Sequence, residues 1–168
     1  MRILAWNCCG LASARAVRAL LEIQKREKPD VIFLSESHLG KVKAEKLRRR
    51  VGFDHLLLHE SDGRSGGLLL MWKKETKIVA NDISRFFIDV TVEDEVSWRL
   101  TGFYGEPKCD KKNDSWVQLR DLHGRMSRPI VTGFGVDASS PDPGTPFRFE
   151  GRGQRGSVSH SRLDRVPV

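Results

Sequence analysis

The sequence predicts a mixed α/β domain (α+β), and three observations carry that expectation. The run VIFL at 31–34 is apolar throughout and rich in β-branched and aromatic residues, as befits a strand covered on both faces. ARAVRALLEIQKRE at 14–27 puts Ala16, Val17, Leu20 and Ile23 on one face and Arg15, Arg18, Glu22 and Lys25 on the other, the pattern of a helix packed through one stripe. Further along the period changes to two. Phe86, Ile88, Val90 and Val92 alternate with Phe87, Asp89, Thr91 and Glu93, and then Val96, Trp98 and Leu100 alternate with Ser97, Arg99 and Thr101. Two such runs in succession predict an antiparallel pair with one face in a core.

The other elements fall around these. Arg2 to Trp6 is a mostly apolar run ending at Asn7, and NCCGL after it suits a strand opening into a loop. Ser13 caps the first helix, which must stop near Lys28 because the residue before Pro29 is driven out of the helical region. KVKAEKLRRR at 41–50 predicts a short basic surface helix held by Val42 and Leu47. FDHLLLHE and GGLLLMW read as two strands joined by SDGRSG. A polar loop after FYGEP leads to a helix beginning near 113–115, with Trp116, Leu119, Leu122 and Met126 on one face, and then to the strand PIVT at 129–132. From 138 the chain is crowded with Pro, Gly, Ser and Arg, and apart from Phe147 and Phe149 it has little to bury. The expected division is therefore a domain over 1–137 and a tail over 138–168, either poorly ordered or a piece of structure lacking its partners. No internal repeat or second domain is evident.

A chain of 168 residues is about one domain's worth, enough to bury about 70% of its unfolded surface in a single core. Lys and Arg number 29 against 22 Asp and Glu, for a formal charge of +7. That balance favours phosphate backbones or acidic surfaces as partners, nucleic acid first, although a solvated basic face has the same composition. The 3 cysteines include the adjacent pair Cys8 and Cys9, a poor disulfide framework without the spaced ligands of a structural zinc site. The N-terminal apolar run is too short for a secretory signal, and no stretch approaches the ~20 apolar residues of a membrane span. The expectation is a nuclear or cytoplasmic protein that is neither secreted nor inserted in a membrane.

Several residues could carry chemistry. Glu36 lies just past the end of a buried apolar strand, where sheet proteins place binding groups, and Mg2+ is often held by one or two carboxylates plus water and phosphate oxygens. It is either a metal ligand or an exposed loop glutamate. Asn7 holds the equivalent place after the first strand; if the two strands are neighbours, its amide shares a crevice with Glu36, and otherwise it is a turn former. Arg64, in the turn GRSGG, could bind phosphate through its planar fork or merely decorate the turn. Tyr104, the single tyrosine, could offer its phenol to a phosphate oxygen or pack its ring at a strand end. No histidine is paired with a Ser or Cys in a pattern that suggests a triad, and His38 and His123 read as surface residues.

In order, ILAWNCCGL, DVIFLSES, GRSGGLLLMW, WRLTGFYGEP and SRLDR resemble the endonuclease domain of plant non-LTR (LINE-type) retrotransposons, within the endonuclease/exonuclease/phosphatase superfamily. The similarity covers most of 1–134 and returns at 161–165. It implies a two-sheet β-sandwich flanked by helices, the DNase I-like fold, incomplete at the C-terminus, cutting DNA phosphodiesters with Mg2+ or Mn2+. By the same resemblance Asn7 belongs to the metal and phosphate site, Glu36 is the main metal ligand, and Tyr104 contacts the scissile phosphate.

The departures are as specific. Where the family carries Gly-Asp-Phe-Asn, whose Asp helps activate water and whose Asn binds phosphate, this chain has Gly133, Phe134, Gly135 and Val136. Asp137 is nearby but displaced along the chain. A Ser-Asp-His motif is absent, since His160 stands in Ser-His-Ser-Arg, and Cys9 replaces an Arg that would bind phosphate. Contributions of this kind are each worth roughly 10²- to 10⁴-fold in rate. The expectation is a degenerate metal-dependent endonuclease with little or no activity. The alternatives are a non-catalytic basic nucleic-acid-binding remnant, an unstable pseudogene product, and, within the superfamily, a phosphatase of lipids or small molecules.

Overall fold

The computed structural model describes residues 1–62, 66–105, 117, 118 and 120–122, together with the backbone of strands at 130–132, 147–150 and 159–162. Strand β1 (Arg2–Asn7) leads through helix α1 (Ala14–Glu27) to β2 (Val31–Ser35), which lies parallel to β1 with Asn7 opposite Ser35. Helix α2 (Lys41–Val51) follows, then the antiparallel pair β3 (His55–His59) and β4 (Leu68–Trp72). The chain next forms a second sheet from β5 (Lys77–Ile83), β6 (Phe87–Glu93), β7 (Trp98–Phe103) and β8 (Ile130–Thr132). The first sheet is completed by β9 (Phe147–Glu150) and β10 (Ser159–Arg162), giving the order β10-β9-β1-β2-β4-β3.

Two cores follow from the pleat. Alternate residues of the first sheet, among them Leu4, Ile32, Leu34 and Met71, pack beneath Leu20 and Ile23 of α1 and Ala44, Leu47 and Val51 of α2. Their neighbours Ile3, Ala5, Phe33 and Leu70 face Ile88, Val90 and Leu100 of the second sheet. The first sheet is thus covered on both sides, which accounts for the uniformly apolar VIFL and LLLMW. The sheets approach closely at Gly102, since a Cβ there would stand 2.4 Å from Cδ2 of Phe33.

Local signals set the helix ends. Ser13 Oγ accepts from Ala16 N at 3.1 Å, and α1 closes at Lys28 in the left-handed conformation, immediately before Pro29. For α2 the expected anchor Val42 is wrong: it is 70% exposed. Ala44, Leu47 and Val51 share the inward stripe instead, because spacings of three and four residues, not two, keep side chains on one helix face.

Further features go beyond the sequence reading. Strand β5 goes unseen in the sequence because it is an edge strand with mostly exposed residues, including Asn81 and Asp82, and so carries no apolar alternation. The face of β6 and β7 opposite the inter-sheet core is also buried at Phe87, Asp89, Arg99 and Thr101. Asp89 there accepts from Arg99 Nε at 2.5 Å, Thr101 Oγ1 at 2.6 Å and Asn81 Nδ2 at 3.0 Å, while Arg99 donates to the carbonyl of Leu122 at 3.3 Å. Leu122, in the helical stretch at 120–122, packs with Phe86, Phe87 and Phe103 and covers this face. Within 138–168, β9 pairs antiparallel with β1, and β10 with β9. Trp116, Leu119 and Met126 lie outside the described residues.

Candidate active site

Beyond β1 and β2 the chain stays zipped after the sheet ladder ends. Cys8 N donates to Ser35 O at 3.1 Å, Gly10 N to Glu36 O at 2.7 Å and Leu11 N to Ser37 O at 2.9 Å. From the other side Ser37 N and His38 N donate to Gly67 O and Gly66 O, at 3.1 and 3.2 Å. Gly67, at φ 87°, is required by this approach, because a Cβ would stand 2.6 Å from Ser37 Oγ. The loop bearing Glu36 is therefore held on both flanks. Glu36 and His38 occupy the left-handed region, with φ of 53° and 54°, a conformation that costs a non-glycine residue about 1–3 kcal/mol and persists where its surroundings over-determine it.

Three of the sequence-selected residues meet here. Asn7 shares the inter-sheet side of β1 with Ile3 and Ala5, by the alternation of the strand. Tyr104 arrives from the second sheet directly after β7, its N–H donating to Phe86 O at 2.7 Å, and its hydroxyl donates to Glu36 Oε1. A residue from each sheet thus closes one end of the seam between them. Asn7 Oδ1 accepts from Cys9 N at 3.2 Å. Arg64 lies outside the described residues, as do Phe134, Gly135 and Val136.

Cys9 takes part in this cluster as well. Its Sγ lies 3.5 Å from Asn7 Oδ1 and within hydrogen-bonding reach of the Glu36 carboxylate. Partial burial, then the charge of Glu36 and that hydrogen bond, push its thiol pKa up. Burial pushes Cys8 up to about 12, with its Sγ 3.1 Å from Ser35 O. Since the thiolate is the nucleophile, native Cys8 is expected to resist iodoacetamide at neutral pH while Cys9 reacts slowly. Glu36→Gln removes the negative charge and should speed alkylation of Cys9, as followed by mass spectrometry; an unchanged rate would contradict this contact.

Sequence reasoning passed over Ser35, although a polar residue at an inward position of an apolar strand is a signal that periodicity could have raised. Its hydroxyl is buried with no hydrogen-bond partner among the described residues. Among the described residues no group of three or more His, Cys, Asp or Glu could hold a metal ion. The oxygen atoms of Glu36, Asn7 and the orphaned Ser35 nevertheless fit a hydrated hard cation, since Mg2+ uses one or two protein carboxylates and keeps several waters. Among the described residues there is no third strong ligand of the kind a softer, fully protein-bound metal takes.

Residues 4–133 match the family described as the endonuclease/exonuclease/phosphatase family. No curated protein sequence matches the chain significantly. Among solved structures it is similar to an AP endonuclease from Archaeoglobus fulgidus, with a TM-score of 0.56 and 17% identity over 74% of this chain and 50% of that one. The human Nocturnin catalytic domain gives 0.57 and 15%, covering 77% of this chain and 61% of that one. The endonuclease domain of TRAS1, a telomere-specific non-LTR retrotransposon, gives 0.54 and 10%, covering 75% and 53%. At these identities the likeness is one of fold, the two-sheet sandwich flanked by helices. The chain spans about half to three-fifths of the length of these three proteins.

Proposed function

Because the chain belongs to the endonuclease/exonuclease/phosphatase family, we propose that it is an endonuclease domain of the plant non-LTR retroelement type, with little or no nicking activity of its own. The observation that carries this reading is the hydrogen bond from Tyr104 to Glu36 beside Asn7, which joins the two sheets where a phosphate could bind. Mg2+ or Mn2+, when bound, polarises a phosphoryl oxygen and stabilises charge on the leaving oxygen. Glu36 would hold the cation, the Asn7 amide would orient a water or a phosphate oxygen, and the Tyr104 hydroxyl would donate to the phosphate. By the resemblance, Phe134 and Val136 stand in the sequence where the family has the Asp that helps activate water and the Asn that binds phosphate, and this is the support for low activity. DNA is the proposed partner, supported by the charge of +7 and by the retrotransposon endonuclease domain among the structural neighbours.

Nicking of supercoiled plasmid with Mg2+ or Mn2+ tests the reading, beside Glu36→Ala. The expected result is no nicking by either folded protein. Nicking that vanishes in Glu36→Ala would overturn the claim of inactivity and assign the missing roles to other residues. Retained DNA binding without cleavage would favour the non-catalytic remnant, for which the basic charge is the specific support.

A further inference from the structure

We propose that the Ser35 hydroxyl is a positioning group that accepts a hydrogen bond from a water of the cation at Glu36, and so helps set how tightly the site takes a hydrated hard divalent ion. This rests on the reading of Glu36 as the carboxylate that holds the cation. Ser35 is 1% exposed, and its Oγ has no partner among the described residues. Buried hydroxyls are nearly always satisfied, and an isolated one is satisfied by ordered water or a ligand or else destabilises the fold.

The surroundings say where that hydroxyl lies. On β2, Val31 and Phe33 belong to the core between the sheets, and the pleat puts Ser35 on the same side. Phe33 meets β7 at Gly102, and Glu36 meets Tyr104 two residues further along. Ser35 is bracketed by these contacts, at the end of the seam where Glu36 and Tyr104 join, and its register partner is Asn7. The local backbone does not need the hydroxyl, since it is the Ser35 carbonyl that receives both Cys8 N and Cys8 Sγ, each at 3.1 Å. An alanine would fill the position without leaving an oxygen unpaired. A cation with one protein carboxylate keeps waters whose protons need acceptors, and outer groups that supply them govern affinity.

The test is Mn2+ titration of the full chain, read as free Mn2+ by electron paramagnetic resonance and as the rise in Tm on adding Mn2+, for wild type, Ser35→Ala and Glu36→Gln. The expected result is that Ser35→Ala melts at or above the wild-type temperature without metal, yet binds Mn2+ about 10-fold more weakly, while Glu36→Gln loses binding. Wild-type affinity in Ser35→Ala, with loss in Glu36→Gln, would overturn the role of the hydroxyl and leave the cation reading standing. A metal-free Ser35→Ala that melts well below wild type would mean that the hydroxyl has a protein partner, and would overturn the proposal. Unchanged binding in Glu36→Gln, or no binding by wild type, would overturn both readings.

Discussion

Asp89→Ala is expected to destabilise the fold by about 3–5 kcal/mol, because it leaves the Arg99 guanidinium buried without its counter-charge. Arg99 is 4% exposed, and the carbonyl of Leu122 would be its one remaining partner among the hydrogen bonds described above. Thr101 and Asn81 lose their acceptor in the same change. For a chain of this size the loss corresponds to a fall in Tm of roughly 6–20 °C. The reverse truncation, Arg99→Met, should cost less, since Asp89 would keep the hydroxyl and amide donors. Replacing both charges with leucine should recover most of the loss, because a buried ion pair is often matched by apolar residues of similar volume. Urea unfolding of these variants checks the ranking. If Asp89→Ala were within ~0.5 kcal/mol of wild type, the pair would not be buried in solution.

Gly102→Val is expected to be the other large effect. A Cβ at this position would lie 2.4, 2.5 and 2.8 Å from three carbons of the Phe33 ring, closer than any real contact, so the ring or a sheet must move. Overpacking of this kind costs about 1–3 kcal/mol and sometimes more. The change should reach the site as well, because Tyr104 follows Gly102 on one sheet and Glu36 follows Phe33 on the other; separating the sheets pulls the phenol from the carboxylate. Phe33→Ala alone should cost about 3–5 kcal/mol. In the double variant the two costs should fall short of their sum by about 0.5–3 kcal/mol, as for residues in direct contact. Strict additivity in denaturant melts would place the contact elsewhere.

The elements most legible in the sequence were those whose burial is one-sided or complete. The α1 stripe and the apolar β2 and β4 each leave a periodic or compositional trace that local chemistry enforces. Less was legible where burial depends on a distant segment. The α2 anchor moved from Val42 to Ala44 and Val51, and β5 was hidden because an edge strand need not alternate. The burial of Asp89 and Arg99 was not legible, because it depends on a partner as distant along the chain as the Leu122 carbonyl. Within the candidate site, Asn7, Glu36 and Tyr104 stood out by type and by their place at strand ends. Their convergence was not legible, because Tyr104 and Glu36 are 68 residues apart and meet only when two sheets pack face to face. The hydroxyl of Ser35 belongs to the same class: a sequence states that a hydroxyl is present, and only the packed sheets decide that it has no partner among the described residues.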